Sequence, residues 1–226
     1  VKKAIRRIKS DAVLVSESPY VKSLKQGGEI PDPVLDQFCQ ASYSYYFYAS
    51  LAKGEIKTSE DLVRVLQSEK IWHNRARIRF LETHDTQRTS KVAPELHKPL
   101  LVLISTLPGI PMIQAGEEIG ARNRYSENPV VEWSGGDRKL YEFTRRLFKI
   151  RRRYGALKHG SISNVWKSGD RIIAYMREWK EERIVVIVNL ERNMATSQLD
   201  LSFLRVGAEL YDILNGEVFR IEEPGG

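Results

Sequence analysis

The sequence predicts a parallel α/β sheet followed by an antiparallel all-β module, and three observations lead there. First, short apolar runs stop at polar clusters. Ala12-Val13-Leu14-Val15 ends at Ser16-Glu17-Ser18-Pro19, and Ile78-Arg79-Phe80-Leu81 ends at Glu82-Thr83-His84-Asp85 with Arg88 just beyond. Gly109-Ile110-Pro111-Met112-Ile113-Gln114 runs into Ala115-Gly116-Glu117-Glu118. Second, the stretches between these runs have helical spacing. Third, after Gly160 the strands come without helices between them. In parallel α/β sheets, ligands meet the carboxyl ends of the strands. The carboxylates at these tips are therefore the candidate chemistry.

In chain order, Val1, Ala4, Ile5 and Ile8 share one helical face, Ser10-Asp11 breaks the helix, and a strand is expected over Ala12–Ser16. Glu17–Pro33 carries Gly27-Gly28 and three prolines and reads as irregular. Val34–Phe38 reads as a short strand. Ala41–Lys53, dense in tyrosine, reads as a buried helix stopped by Gly54. A helix capped by Thr58 or Ser59 runs to about Glu69. The apolar helix Pro94–Leu107 is closed by Pro108-Gly109, and strand Ile110–Gln114 follows. Ala115–Asp137 is a long loop, of the kind that usually carries function. In Lys139–Tyr154, Leu140, Phe143, Leu147 and Ile150 line one side of a helix. Strands are then expected at Ile162–Trp166, Ile172–Met176, Ile184–Asn189, Leu199–Leu204, Glu209–Ile213 and Val218–Ile221.

At 226 residues and 42% hydrophobic, the chain can bury a substantial core. Its net charge of +7 raises nucleic-acid binding as a function. The basic residues, however, alternate with apolar positions, as in Arg145, Arg146, Lys149, Arg151, Arg152 and Arg153. That pattern belongs to the solvated faces of amphipathic helices, so no nucleic-acid partner is expected. Cys39 stands alone, which excludes a disulfide framework and a cysteine metal site. No apolar stretch approaches the ~18 residues of a membrane-spanning helix. No segment reads as a secretory signal, which favours a cytoplasmic over a secreted protein.

These stretches together resemble the alpha-amylase family of glycoside hydrolases, family thirteen. Leu14-Val15-Ser16-Glu17 resembles the family's fifth-strand motif, which ends in the catalytic glutamate. Phe80-Leu81-Glu82-Thr83-His84-Asp85-Thr86-Gln87-Arg88 resembles the seventh-strand motif. Pro108-Gly109-Ile110-Pro111 through Gly116-Glu117-Glu118-Ile119-Gly120 resembles the eighth strand and its loop. Leu147–Arg151, Leu157–Gly160 and Val185–Leu190 resemble the last barrel helix and the carboxyl-terminal β-domain. The family usually has Gly where Ser16 stands and Asn where Thr83 stands. No segment resembles the fourth-strand Arg-x-Asp that carries the nucleophile, and residue 1 reads as lying in the helix just after that strand.

The resemblance implies the second half of a (β/α)8 barrel, strands five to eight, over residues 1–158, and an antiparallel β-sandwich over 159–226. It implies a retaining enzyme that hydrolyses or transfers α-glucosidic bonds in starch, maltodextrin or related sugars. Such an enzyme uses two carboxyl groups about 5 Å apart. Glu17 is then the acid/base, and Asp85 is the carboxylate that fixes substrate hydroxyls and favours the cationic transition state. His84 would bond the same sugar. Arg88 would either bind substrate or pair with a loop acid. Glu117 and Glu118 would hold the loop after the eighth strand. Tyr20, Trp72, Tyr125 and Trp133 are candidates to stack on sugar faces, Trp133 foremost because it lies in the long loop. No cofactor or metal is expected in this chain, with calcium a possibility in the missing amino-terminal half of the barrel. That half is an expected partner, and without its nucleophile this chain alone is expected to be inactive. The rival is a non-catalytic amylase-like subunit or carbohydrate-binding module. It predicts loss of the acid or the aspartate, and both are present.

Overall fold

The computed structural model describes residues 2–17, 39–70, 76–123, 130–167, 169 and 171–222. Helix α1 (Lys2–Ile8) leads to strand β1 (Val15–Ser16), and β2 (Ala41–Tyr43) leads to α2 (Tyr45–Ala52) and α3 (Ser59–Lys70). Strand β3 (Ala76–Arg79) is followed by α4 (Thr89–Val92), a 3-10 turn at Pro94–Leu96, and α5 (His97–Thr106). Then come β4 (Ile110–Pro111), a 3-10 turn at Glu117–Ile119, α6 (Arg138–Arg153) and α7 (Gly155–His159). The chain ends with β5 (Ser161–Trp166), β6 (Ile172–Trp179), β7 (Glu182–Asn189), β8 (Glu209–Tyr211) and β9 (Val218–Arg220).

Strands β1 to β4 form one four-stranded sheet in chain order. Every neighbouring pair is parallel, with Val15 opposite Ala41, Tyr43 opposite Ile78 and Ile78 opposite Ile110. Parallel neighbours in chain order need crossovers, and α2–α3 and α4–α5 supply two of them. All the strand ends therefore point one way. The edge strands β1 and β4 keep apolar side chains exposed, Val13 and Val15 at one edge and Ile110 at the other.

The β2 segment corrects an expectation. Ala41–Tyr43 was expected to open a helix, yet it forms a strand between β1 and β3, and the helix starts only at Tyr45. Pairing on both sides overrides a local pattern with no strong helix or strand preference. The expected strand Val34–Phe38 lies outside the described residues. The expected strand over Ala12–Ser16 narrows to Val15–Ser16, and Ile78–Leu81 shifts to Ala76–Arg79. In β3, Arg77 and Arg79 lie on one face and are buried. Arg79 Nη2 donates to Glu69 Oε2 of α3 at 2.8 Å and Nε donates to the Pro108 carbonyl at 2.7 Å, while its guanidinium covers the Phe47 ring. A buried arginine survives only with such pairing.

Helix α6 starts as its sequence dictates. The Asp137 carboxylate accepts from the backbone N–H groups of Lys139 and Leu140, and Leu140 and Leu147 bury the expected face. The carboxyl-terminal part holds an antiparallel sheet β5–β6–β7 and a separate ribbon β8–β9. The expected strand over Leu199–Leu204 is absent. Leu199 and Leu201 nevertheless pack on Trp166, Ala174 and Met176, and Trp166 Nε1 donates to the Asp200 carbonyl at 2.8 Å. The other face of β6 joins the main core, where Ile173, Tyr175, Val186 and Val188 pack with Leu62, Leu101, Ile104 and Leu147. The Tyr175 hydroxyl lies 2.6 Å from Thr106 Oγ1, and Ala174 N donates to Ser59 Oγ at 2.9 Å. One continuous core thus spans the parallel sheet's helices and the antiparallel sheet.

Candidate active site at the strand tips

The tips of three adjacent strands converge on one hydroxyl. Glu17 follows β1 directly, Tyr45 follows β2 as the first residue of α2, and Thr83, His84 and Asp85 follow β3. Tyr45 donates its hydroxyl proton to Glu17 Oε1 at 3.0 Å. Burial, the bond to Glu17 and the nearby charges of Glu17 and Asp85 all push the Tyr45 phenol well above its usual range, and a bond from the Thr83 hydroxyl works the other way. Tyr43 is pushed up as well, first by burial and then by Glu17. Glu17 and Asp85 therefore both act on the Tyr45 hydroxyl, and both side chains are exposed at the tip face.

His84 Nε2 lies 3.3 Å from Asp85 Oδ2 at the same exposed tip. Their turn is held from beneath. Thr83 N donates to Thr86 Oγ1 at 2.7 Å, and Asp85 N donates to Thr83 Oγ1 at 3.3 Å. Ser16 and Thr83, the two departures from the family pattern, are both buried beside the tip residues.

Arg88 is paired with an acid, the arrangement of one of its two expected roles. Its guanidinium is buried: Nη1 donates to Glu82 Oε1 at 2.7 Å and to the Ala115 carbonyl at 3.0 Å, and Nε donates to the Asn123 carbonyl at 2.9 Å. Thr89 N closes the other Glu82 oxygen at 2.6 Å. The partner is the strand-tip acid Glu82, so the pair ties the loop after β3 to the loop after β4. Glu117 lies behind it and accepts from Gln114 N at 3.1 Å. Burial pushes the Glu117 carboxyl well above the carboxylate range, and the neighbouring Glu82 charge adds to this. Burial pushes His97 down to about 4, and its Nε2 lies 3.9 Å from Glu117 Oε1.

Trp133 is exposed in the loop before α6. No hydrogen bond or ring contact among the described residues joins it to Glu17, Tyr45 or Asp85. Tyr20, Trp72 and Tyr125 lie outside the described residues. Tyr45 is the site residue that sequence reasoning missed. Its signal was present but misread: an aromatic residue directly after a short strand occupies a tip, and reading Ala41–Tyr43 as helix hid the tip. Among the described residues, no group of three or more His, Cys, Asp or Glu side chains is placed to hold a metal. No helix among them is long and apolar enough to cross a membrane.

Known proteins share this fold. Residues 164–224 match the family described as maltogenic amylase, C-terminal domain. The chain is 27% identical over 198 residues to a cyclomaltodextrinase of Thermoanaerobacter pseudethanolicus, covering 83% of this chain and 34% of that protein. It is 30% identical over 158 residues to alpha-amylase 2 of Dictyoglomus thermophilum, covering 61% of this chain and 27% of that protein. The fold superposes on the acarbose-complexed alpha-amylase of Geobacillus thermoleovorans with a TM-score of 0.81 at 20% identity, over 99% of this chain and 52% of that one. The chain thus spans about a quarter to a third of the length of these curated relatives and about half of that solved structure. With its strand-tip carboxylates, its parallel sheet and its antiparallel carboxyl-terminal sheet, the chain is similar to the carboxyl-terminal region of the alpha-amylase family of glycoside hydrolases.

Proposed function

We propose that this chain supplies the acid/base half of a retaining active site that cleaves or transfers α-glucosidic bonds in starch-like glucans, maltodextrins or related sugars. In this reading β1 to β4 are strands five to eight of a (β/α)8 barrel over residues 1–158, and residues 159–226 are the carboxyl-terminal β-domain. Strands from another segment would complete the sheet at the edges of β1 and β4, where Val15 and Ile110 are exposed. That segment would also supply the nucleophilic carboxylate.

The chemistry follows from the tip residues. Glu17 gives its proton to the glycosidic oxygen as the C1–O bond breaks, its electron pair stays with that oxygen, and the nucleophile bonds to C1. Ionised Glu17 then takes a proton from water or a sugar hydroxyl, whose oxygen attacks C1 and frees the nucleophile. Asp85 presents its charge beside the developing oxocarbenium ion, and His84 binds hydroxyls of the same sugar. Trp133 offers an exposed ring for stacking. The convergence of Glu17 and Asp85 on the Tyr45 hydroxyl carries this reading. In the protein with its complete barrel, Glu17→Ala should lose activity on maltodextrins far more than on aryl glycosides, and azide should restore turnover. Equal loss on both substrates with no azide response overturns the assignment.

A further inference from the structure

We propose that Tyr45 is a positioning residue that fixes which oxygen of Glu17 carries the transferable proton. The inference rests on the acid/base reading of Glu17. The two oxygens of a protonated carboxyl differ: one bears the proton and the other is a carbonyl-type acceptor. Tyr45 donates to Oε1 at 3.0 Å. While that bond stands, Oε1 is the acceptor and the proton sits on Oε2. The carboxyl is thereby set in the orientation needed to protonate a glycosidic oxygen, and no rotation is required at the moment of transfer.

The donor is rigid although the acceptor is exposed. The Tyr45 ring is 7% exposed, lies edge-on to Phe80 with centroids 5.1 Å apart, and stacks with Tyr43 at 6.0 Å. Tyr48 meets it edge-on at 6.5 Å. Its backbone is set by Ser44 N, which donates to the Ile78 carbonyl at 2.9 Å across the β2–β3 ladder. The phenol keeps its proton, because burial, Glu17 and Asp85 all disfavour the phenolate. It therefore acts as a donor throughout the cycle. Toward ionised Glu17 the same bond is charge-assisted and stronger, which steadies the base form that activates the acceptor. The titratable groups facing this bond are Glu17 at the tip of β1, Tyr43 in β2 and Asp85 after β3, with His84 beyond Asp85.

Tyr45→Phe in the protein with its complete barrel tests the inference, because phenylalanine keeps the ring packing and removes only the donor. On maltodextrin, kcat should fall about tenfold or more, the range expected for one hydrogen bond to an ionisable group, while KM stays close to its original value. An aryl α-maltoside with a good leaving group should lose much less. In a Glu17→Gln background, Tyr45→Phe should cause no further loss. Unchanged kcat on maltodextrin overturns the inference. Equal loss on both substrates, or additive losses in the double variant, reduce Tyr45 to a packing residue and also overturn it. Glu17→Ala with azide separates the two levels. If azide rescues that variant and Tyr45→Phe is silent, only the positioning role fails. If azide does nothing, the acid/base reading falls and takes this inference with it.

Discussion

Arg88 and Glu82 form a buried ion pair, with Nη1 2.7 Å from Oε1, directly beneath the exposed His84–Asp85 tip. The same guanidinium reaches the carbonyls of Ala115 and Asn123, so a single side chain braces the loops after β3 and β4. Removing one partner leaves the other charge buried without compensation, which costs about 3–5 kcal/mol. Arg88→Met and Glu82→Leu should each lose about that much stability in urea unfolding. The double variant should lose less than the sum. Strict additivity would show that the two charges do not depend on each other.

Asp85 is exposed, so its substitution should separate catalysis from stability. Asp85→Asn keeps the size and removes the charge that, under the proposed function, favours a developing cation. Turnover on maltodextrin should drop by about 10²–10³, and the unfolding midpoint should stay in place. Near-normal turnover would make Asp85 a turn residue.

The His97–Glu117 contact predicts how stability depends on pH. His97 in the folded protein is pushed down to about 4 by burial, whereas an exposed histidine titrates near 6.5. Below about 6.5 the unfolded chain binds a proton that the folded one does not. Stability should therefore be unaffected by this group above that pH and fall progressively toward pH 4, by about 3 kcal/mol in total. His97→Leu should flatten this decline. A wild-type protein with pH-independent stability between 4 and 6.5 would show that His97 is protonated in place.

Glu117 acts with the opposite sign. Its folded pKa is raised well above the carboxylate range by burial and by Glu82, so its cost appears above the unfolded value and grows as pH rises. Glu117→Gln keeps an acceptor for Gln114 N and removes the proton linkage. The variant should match or exceed the original in stability at pH 8, by roughly 1–2 kcal/mol. A clear loss at pH 8 would mean that the carboxylate is ionised and paired in the fold.

The carboxyl-terminal sheet should not fold once detached from the rest. Ile173, Tyr175 and Arg177 of β6 are fully buried. Tyr175 meets Thr106 of α5, and Arg177 donates to the Gly160 carbonyl at 2.6 Å and to the Thr106 carbonyl. Cutting near residue 159 bares that face of β6. Residues 159–226 expressed alone should show no cooperative thermal transition, and a sharp one would show that the sheet folds without the helices of the parallel sheet. By the same logic, residues 1–226 alone should not cleave maltoheptaose, since no nucleophile is assigned within them. Robust cleavage by a monomer would relocate the chain in the barrel.

The sequence alone determined the periodic features. Helix α6 buries Leu140 and Leu147 as their spacing requires, the β6–β7 hairpin pairs where the apolar runs stand, and Glu17, His84 and Asp85 lie at strand tips because apolar runs end just before them. These are local properties, fixed by side-chain period and by the residues at which each period stops. Tertiary structure decided whatever depends on a partner remote in sequence. Ala41-Ser42-Tyr43 became a strand because β1 and β3 offer ladders on both sides, and Leu199–Leu204 did not become one, although its leucines still found the Trp166 cluster. Arg88 became a brace because Glu82 is buried within reach, and Arg79 could enter a strand because Glu69 of α3 meets it. Tyr45 joined the candidate site only because three parallel strands end side by side and bring its hydroxyl to Glu17. Which tip meets which is settled by strand order and register, and these arise from hydrogen bonds between segments that no local pattern connects.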